Sequence, residues 1–144
     1  MLICDLLKSQ VLISAEAHQP VLEVAGMMVD HNIGAVPVLQ NGALVGIFTE
    51  RDLMNRVVVE GKDPARTPVS EVMTQDPMAV EPDDSLETCM TLMRRHGFRH
   101  LLVSSGRDLK GVVSLRDILL HDLDEKDDEV RMMRAYLHST PEAG

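Results

Sequence analysis

Two short stretches of the chain combine a hydroxyl, an arginine and an aspartate at the same spacing. Helix capping explains the hydroxyl and the acid three residues later, but it does not require the arginine. The hydroxyl and nearby backbone N–H groups could hold a phosphate, the arginine could add positive charge, and the aspartate could accept both hydroxyls of a ribose. The residues are Thr49, Arg51 and Asp52, and Ser114, Arg116 and Asp117. They predict nucleotide sites, with capping alone as the alternative.

The two stretches lie 65 positions apart, and the chain around them is duplicated at the same offset. Identical pairs include His31 and His96, Gly46 and Gly111, Arg51 and Arg116, and Asp52 and Asp117. We expect a first repeat over residues 7–60, a linker over 61–68, a second repeat over 69–121, and an acidic C-terminal segment with a short helix over 122–144. Each repeat is too small to bury a good core alone, so the two should pack together.

Each repeat predicts the order strand, helix, strand, strand, helix. Short first strands are expected over residues 11–14 and 78–81. The helix after the second of these strands should be capped by Asp84 and end at Gly97. Asn41-Gly42 predicts a tight hairpin turn between the two later strands of the first repeat. The hydroxyl stretches then fall where a hairpin strand enters the last helix of each repeat.

Composition excludes several classes of protein. The 144 residues carry a net charge of −9 and only three aromatic side chains, which argues against a nucleic-acid binder. No apolar run reaches the ~18 residues of a membrane span, and the N-terminus lacks the basic region of a secretory signal. Two cysteines, Cys4 and Cys89, fit a reducing compartment. We therefore expect a cytoplasmic protein that binds neither nucleic acid nor membrane.

Signals for catalysis are missing from the sequence. The six histidines lack metal-ligand spacing, and neither cysteine has a base close by in the sequence. No Gly-rich phosphate loop is present. We therefore expect no catalytic residue, no metal site and no enzyme activity.

The duplicated unit resembles a pair of cystathionine β-synthase (CBS) domains, together called a Bateman module, over about residues 7–121. The resemblance rests on Gly46-Ile47-Phe48-Thr49-Glu50-Arg51-Asp52 and Gly111-Val112-Val113-Ser114-Leu115-Arg116-Asp117, supported by Gly34-Ala35-Val36-Pro37-Val38 and Arg99-His100-Leu101-Leu102-Val103. It implies an α/β (α+β) fold in which two tandem β-α-β-β-α repeats pack about a pseudo-two-fold axis. It also implies adenosine-containing ligands in clefts between the repeats.

The resemblance assigns roles to single residues. The ribose role falls on Asp52 and Asp117, and the phosphate role on Thr49 and Ser114. Adenine would be held at the starts of strands, by Ala35, Pro37, Arg99, His100, Leu102, Ile13 and Met78. Because Thr74-Gln75-Asp76-Pro77 matches the family better than its counterpart in the first repeat, the site around Ser114 and Asp117 should be the better formed.

The resulting prediction is a stand-alone regulatory module that binds AMP, ADP or ATP between its repeats, with S-adenosylmethionine or NAD as other possible ligands. It would signal through a homodimer or an effector protein by favouring one arrangement of the repeats. The rival hypothesis is a ligand-free oligomerisation or scaffold protein in which the segments Thr49–Asp52 and Ser114–Asp117 only cap helices. A small nucleotide-hydrolysing enzyme has the least support.

Overall fold

Two repeats with the same order of elements form the protein in the computed structural model, which describes residues 2–7, 10–106 and 108–121. The strands are β1 (Ala15–Glu16), β2 (Ala35–Gln40), β3 (Ala43–Thr49), β4 (Thr74–Gln75), β5 (Ala79–Val80), β6 (His100–Ser105) and β7 (Asp108–Ser114). The helices are α1 (Val21–His31), α2 (Glu50–Asp52, continued by a π-helix over Leu53–Val58), α3 (Leu86–His96) and α4 (115–121), with 3₁₀ turns at Ile3–Leu7 and Val69–Glu71. The helix expected over residues 122–144 lies outside the described residues.

Each repeat builds one small mixed sheet, so the expected α/β (α+β) class is confirmed. In the first repeat β1 runs parallel to β2, which forms an antiparallel hairpin with β3. In the second, β5, β6 and β7 repeat this arrangement. Asn41 and Gly42 have φ angles of 52° and 80°, the left-handed pair that a two-residue hairpin turn requires.

The long helices follow their apolar periodicity. Val21, Val24 and Met28 form the buried face of α1, and Cys89 and Met93 form that of α3. Gly97 ends α3 with a φ of 71°, as expected. Among the described residues, no helix has both the length and the apolar character needed to cross a membrane.

Two local expectations were wrong. The first strand is not at residues 11–14 but at Ala15–Glu16, because Ala15 pairs with Val38 and is buried whereas Val11 is exposed. The cap of α3 is Ser85, whose Oγ accepts the Thr88 N–H at 3.1 Å. The Asp84 carboxylate instead accepts the Glu81 N–H at 2.8 Å and closes the preceding turn.

Each sheet is extended by a segment that belongs, in sequence, to the start of the other repeat. The segment before the first repeat joins the second sheet, and the segment at the start of the second repeat joins the first sheet. We call these the crossing segments: residues 3–7 with Gln10, and residues 69–75. β4 of the later segment pairs with β3, with Gln75 opposite Gly46. In the earlier segment, the Gln10 side chain takes the place of a strand partner of β7: its Nε2 donates to the Val112 carbonyl at 2.7 Å and its Oε1 accepts the Val112 N–H at 3.0 Å.

The buried side chains form one core in each repeat and a smaller cluster between them. Val69, Val72 and Met73 of the later crossing segment enter the first core, while Ile3 of the earlier one is fully buried in the second. The cluster between the sheets contains Ala35, Ile47 and Leu102. The repeats thus pack against each other and leave clefts at the edges of their contact.

Candidate functional site

A reciprocal cap closes the first junction, where β3 enters α2. The Asp52 backbone N–H donates to Thr49 Oγ1 at 3.2 Å, and the Thr49 N–H donates to Asp52 Oδ2 at 3.1 Å. Thr49 keeps extended backbone angles, so its side chain can turn back over the start of the helix. The capping that these residue types predict is therefore confirmed.

The carboxylate of Asp52 has further partners besides the cap. The residue is only 6% exposed. The Thr74 hydroxyl donates to the carboxylate, with Oγ1 lying 3.2 Å from Oδ1 and 3.3 Å from Oδ2. Arg56 Nε lies 3.7 Å from Oδ1, and Arg56 Nη1 donates to the Met73 carbonyl at 2.7 Å. Asp52 thereby ties α2 to the later crossing segment.

The second junction has the same cap but an open aspartate. The Asp117 N–H donates to Ser114 Oγ at 3.0 Å, and the Ser114 N–H donates to Asp117 Oδ2 at 3.3 Å. Asp117 is exposed. Among the residues that the structure describes, its Oδ1 has no hydrogen-bond partner and no cation within ion-pair distance. This carboxylate can still accept hydrogen bonds from a ligand.

The junctions open into two clefts between the repeats, which we name the Ser114 cleft and the Thr49 cleft. Their volumes are about 820 Å³ and about 390 Å³. Both fall within the range of small-molecule sites. The predicted residues that line the Ser114 cleft are Ile13, Ala35, His100, Ser114, Arg116 and Asp117. Those that line the Thr49 cleft are Thr49, Arg51, Asp52, Met78, Arg99 and His100.

Pro37 and Leu102 line neither cleft, contrary to the role that the resemblance gives them. Both are buried. Pro37 lies two positions after Ala35, and Leu102 lies two positions after His100. Each therefore lies on the same face of its sheet as that cleft residue, but farther from the start of the strand. Leu102 packs with Ala35 and Ile47 in the cluster between the sheets. Leu102 therefore supports the contact between the repeats.

Sequence reasoning missed a wall that the two clefts share. Gly34, Glu50 and His100 line both of them. A Cβ atom on Gly34 would stand 2.6 Å from Glu50 Oε1 and 3.5 Å from His100 Cε1, so a larger residue here would displace the Glu50 carboxylate from this position. Glu50 was overlooked because capping does not select its position and the second repeat has Leu115 there.

The imidazole in this wall is biased toward its neutral form. Burial lowers the pKa of His100, the neighbouring carboxylates of Glu50 and Asp117 raise it in part, and Arg99 lowers it again. Desolvation has the largest effect, so the net direction is downward. At neutral pH the ring therefore adds little positive charge to either cleft.

Reactive side chains elsewhere are few in the described part of the chain. Burial, followed by the charge of Asp84, raises the pKa of the Cys89 thiol, which keeps it protonated and a poor nucleophile. No group of three or more His, Cys, Asp or Glu side chains among the described residues could hold a metal ion.

Comparison with known proteins agrees with this architecture. The model of the CBS domain family matches residues 4–59 and 69–124. CBS domain-containing protein YhcV of Bacillus subtilis is 38% identical over 106 residues, which cover 74% of this chain and 75% of that protein.

Solved structures show the same fold. The CBS-domain containing protein ATU1752 of Agrobacterium tumefaciens has a TM-score of 0.78 at 30% identity, covering 85% of this chain and 99% of its own. A CBS domain protein of Pyrobaculum aerophilum, solved in complex with AMP, has a TM-score of 0.75 at 27% identity, covering 84% and 97%. The paired sheets, the capped junctions and the double match to the family model together identify the chain as a member of the CBS domain family that carries two CBS domains in tandem.

Proposed function

We propose that this protein is a regulatory module that binds an adenine nucleotide, or a related adenosyl ligand, in the Ser114 cleft. The observation that carries the proposal is the carboxylate of Asp117, whose Oδ1 is free to accept hydrogen bonds, beside the Ser114 hydroxyl that caps the helix. Ile13 and Ala35 give the same cleft an aliphatic wall for the base, and Arg116 supplies a cation for a phosphate. The AMP complex of the Pyrobaculum aerophilum protein supports this class of ligand.

Signalling would follow from the position of the cleft between the repeats. The Ser114 cleft takes Asp117 from the second repeat and Ile13 and Ala35 from the first. A ligand that contacts both repeats stabilises the mutual arrangement that fits it best, in proportion to its differential affinity for that arrangement. We propose that a partner protein or a second copy of the chain reads this arrangement, in the cytoplasm and without catalysis.

Calorimetric titration with AMP, ADP, ATP, NAD and S-adenosylmethionine tests the proposal. We expect saturable binding of at least one of them, lost in Asp117→Ala and kept in Asp83→Ala, a control at an exposed acid outside both clefts. Binding that survives Asp117→Ala but is abolished by Asp52→Ala would move the ligand to the Thr49 cleft. No heat from any ligand at millimolar concentration would reject nucleotide sensing.

The caps at both junctions favour one rival function, a ligand-free scaffold. In that case the hydroxyls and aspartates serve only the helix starts, and Asp117→Asn changes stability without changing any binding. Thermal melts separate the two functions, because a ligand that binds the folded state alone raises the melting temperature with its concentration. Turnover of ATP in the same samples would contradict the absence of catalysis.

A homodimer is the assembly that we propose for the signal. Large apolar side chains are exposed on α1 and α4, namely Leu22 and Leu119, together with Val29 and Leu120 at the rim of the Ser114 cleft. Such side chains mark association surfaces when they form a patch. Sedimentation velocity with and without AMP should show a dimer, and a monomer across the whole micromolar range would contradict it.

A further inference from the structure

The end of α3 presents a basic surface on a protein that is acidic as a whole. Residues 94–99 contain three arginines and one histidine but no acid, in a chain whose net charge is −9. All of these residues are exposed. Among the described residues, none of the three guanidinium groups has a hydrogen-bond or ion-pair partner. We call this set the basic surface: Arg94, Arg95, His96, Phe98 and Arg99.

The helix dipole explains only part of the basic surface. Basic side chains in the last turn of a helix complement its dipole, which accounts for Arg94 and Arg95. Arg99 lies beyond the end of the helix, where the dipole does not require it. Phe98 is 42% exposed, and its ring stacks on that of His96 with the centroids 5.6 Å apart. Arginine and exposed aromatic rings together are typical of binding surfaces.

The sequence directly after α4 carries the complementary charge. Residues 122–129 hold six acids and one lysine, a net charge of −5, and we call them the acidic run. The start of α4 lies beside the basic surface, because the Leu115 N–H donates to the Arg99 carbonyl at 2.8 Å. The helix is about 10 Å long, whereas eight residues of extended chain span about 26 Å. The acidic run is therefore long enough to return along α4 to the basic surface.

Attachment to the same chain favours the acidic run over anions from other molecules. Exposed ion pairs are individually weak, so an acidic segment needs several of them or a high local concentration. A short tether supplies an effective concentration of about a millimolar or more. A free nucleic acid presents negative charge too, but the net charge of this protein repels it.

We propose that the acidic run binds the basic surface of its own molecule and covers it against other anionic partners. The contact joins the C-terminal segment to the end of α3. Arg94 and Arg95 line neither cleft, so this inference does not rest on the proposed function.

Amide NMR spectra of the full chain test the contact. A neutral variant replaces every acid of the run by its amide: Asp122→Asn, Asp124→Asn, Glu125→Gln, Asp127→Asn, Asp128→Asn and Glu129→Gln. We expect the resonances of residues 94–99 to shift more than those of any other segment between residues 10 and 114. Unchanged resonances of β2 and β3 will show that the fold is retained. In about 1 M NaCl, where the Debye length is about 3 Å, the difference should disappear.

Two controls separate a specific contact from a general effect of charge. Glu23→Gln with Glu60→Gln and Glu81→Gln removes exposed acids outside both clefts and should leave residues 94–99 unshifted. In the reverse experiment, Arg94→Glu with Arg95→Glu should move the resonances of the acidic run to their high-salt positions. Lys62→Glu with Arg66→Glu makes the same change of charge at exposed linker positions and should not.

Mixing two variants distinguishes a contact within one molecule from a contact with a second copy. The labelled neutral variant has the basic surface without the acidic run, and the unlabelled Arg94→Glu, Arg95→Glu variant has the acidic run without the surface. At about 0.1 mM of each, the labelled resonances of residues 94–99 should stay where they are in the neutral variant alone, because the tether is missing.

Three results would overturn the proposal. One is the absence of a shift at residues 94–99 in the neutral variant, or an equal shift in its control. Another is a return to the wild-type positions in the mixture, which would assign the acidic run to a second copy. The third is a single-stranded oligonucleotide that shifts residues 94–99 of the wild type at micromolar concentration, since the surface would then serve a nucleic acid.

Discussion

Glu50 places one carboxylate against both clefts, where it opposes any anionic ligand. The side chain is exposed, so water screens its field and the effect should be modest. We expect Glu50→Gln to tighten the binding of ATP by about two- to fivefold at low salt. Adenosine, which is uncharged, should bind as before. Isothermal titration with Glu87→Gln, an exposed acid on α3, as the control measures this difference, and an equal gain for adenosine would show that the effect is not electrostatic.

His100 should make the stability of the fold depend on pH. Burial lowers the pKa of its ring from 6.5, and Arg99 adds to this while Glu50 and Asp117 offset part of it. The unfolded chain therefore binds more protons than the folded one as the pH falls below about 6.5, and the free energy of unfolding falls with it. Urea unfolding between about pH 7.5 and about pH 5.5 should show a steeper loss in the wild type than in His100→Gln. Parallel curves for the two proteins would contradict this role.

The residues of the two junctions could be predicted from the sequence because their capping is local. Thr49 and Asp52, like Ser114 and Asp117, lie three positions apart and bond to each other. The difference between the junctions could not be predicted, since Asp52 is engaged by Thr74, which lies 22 positions away and reaches it only through the crossing of the chain. Open and engaged carboxylates are therefore a tertiary property.

At the scale of elements, two glycines permit the crossing segments to approach the sheets. A Cβ on Gly46 would stand 2.7 Å from the Thr74 carbonyl oxygen, which belongs to β4 and cannot move without breaking its pairing. A Cβ on Gly111 would meet Gln10 Oε1 at 2.7 Å and Leu7 Cδ2 at 2.8 Å, both parts of side chains. The two glycines are equivalent in the repeat, but the neighbours of Gly111 are side chains, which can shift more easily than backbone, at some cost to the two hydrogen bonds between Gln10 and Val112.

We therefore expect Gly46→Ala to destabilise the protein by about 1–3 kcal/mol, and Gly111→Ala by less. Gly26→Ala provides the control, because nothing lies within 4 Å of a Cβ at this exposed helix position. That change should stabilise the fold by about 0.5–1 kcal/mol. Midpoints of urea unfolding give all three values. A Gly111→Ala variant less stable than Gly46→Ala would show that the flexible side chains do not adjust.

Elements with strong local signals were predictable and the shortest strands were not. Asn41-Gly42 fixes a hairpin and Gly97 ends a helix, each through its own backbone angles. β1 has only two residues, and its position follows from parallel pairing with Val38 and Leu39 rather than from its own pattern. The predicted cap of α3 was wrong by one residue. Asp84 and Ser85 are both good caps, and the Asp84 side chain is already used in the preceding turn.

At the scale of the whole molecule, the crossing segments interlock the two repeats. Ile3 lies before the first repeat yet is fully buried in the second core, and its N–H donates to the Asp84 carbonyl at 2.8 Å. Val72 lies after the linker yet is buried in the first core. The core of either repeat is therefore incomplete unless the chain has crossed.

Interlocked cores should unfold together. We expect Ile3→Ala to lower the free energy of unfolding by about 2–4 kcal/mol and Val72→Ala to lower it by about 1–3 kcal/mol. Each variant should destabilise both repeats. Hydrogen exchange in increasing urea can follow β2 and β6 separately. Val11→Ala is the matched control, since Val11 is 77% exposed and should leave both strands unchanged. Loss of protection in β6 alone for Ile3→Ala, or in β2 alone for Val72→Ala, would mean that the repeats unfold independently and that the crossing segments do not couple them.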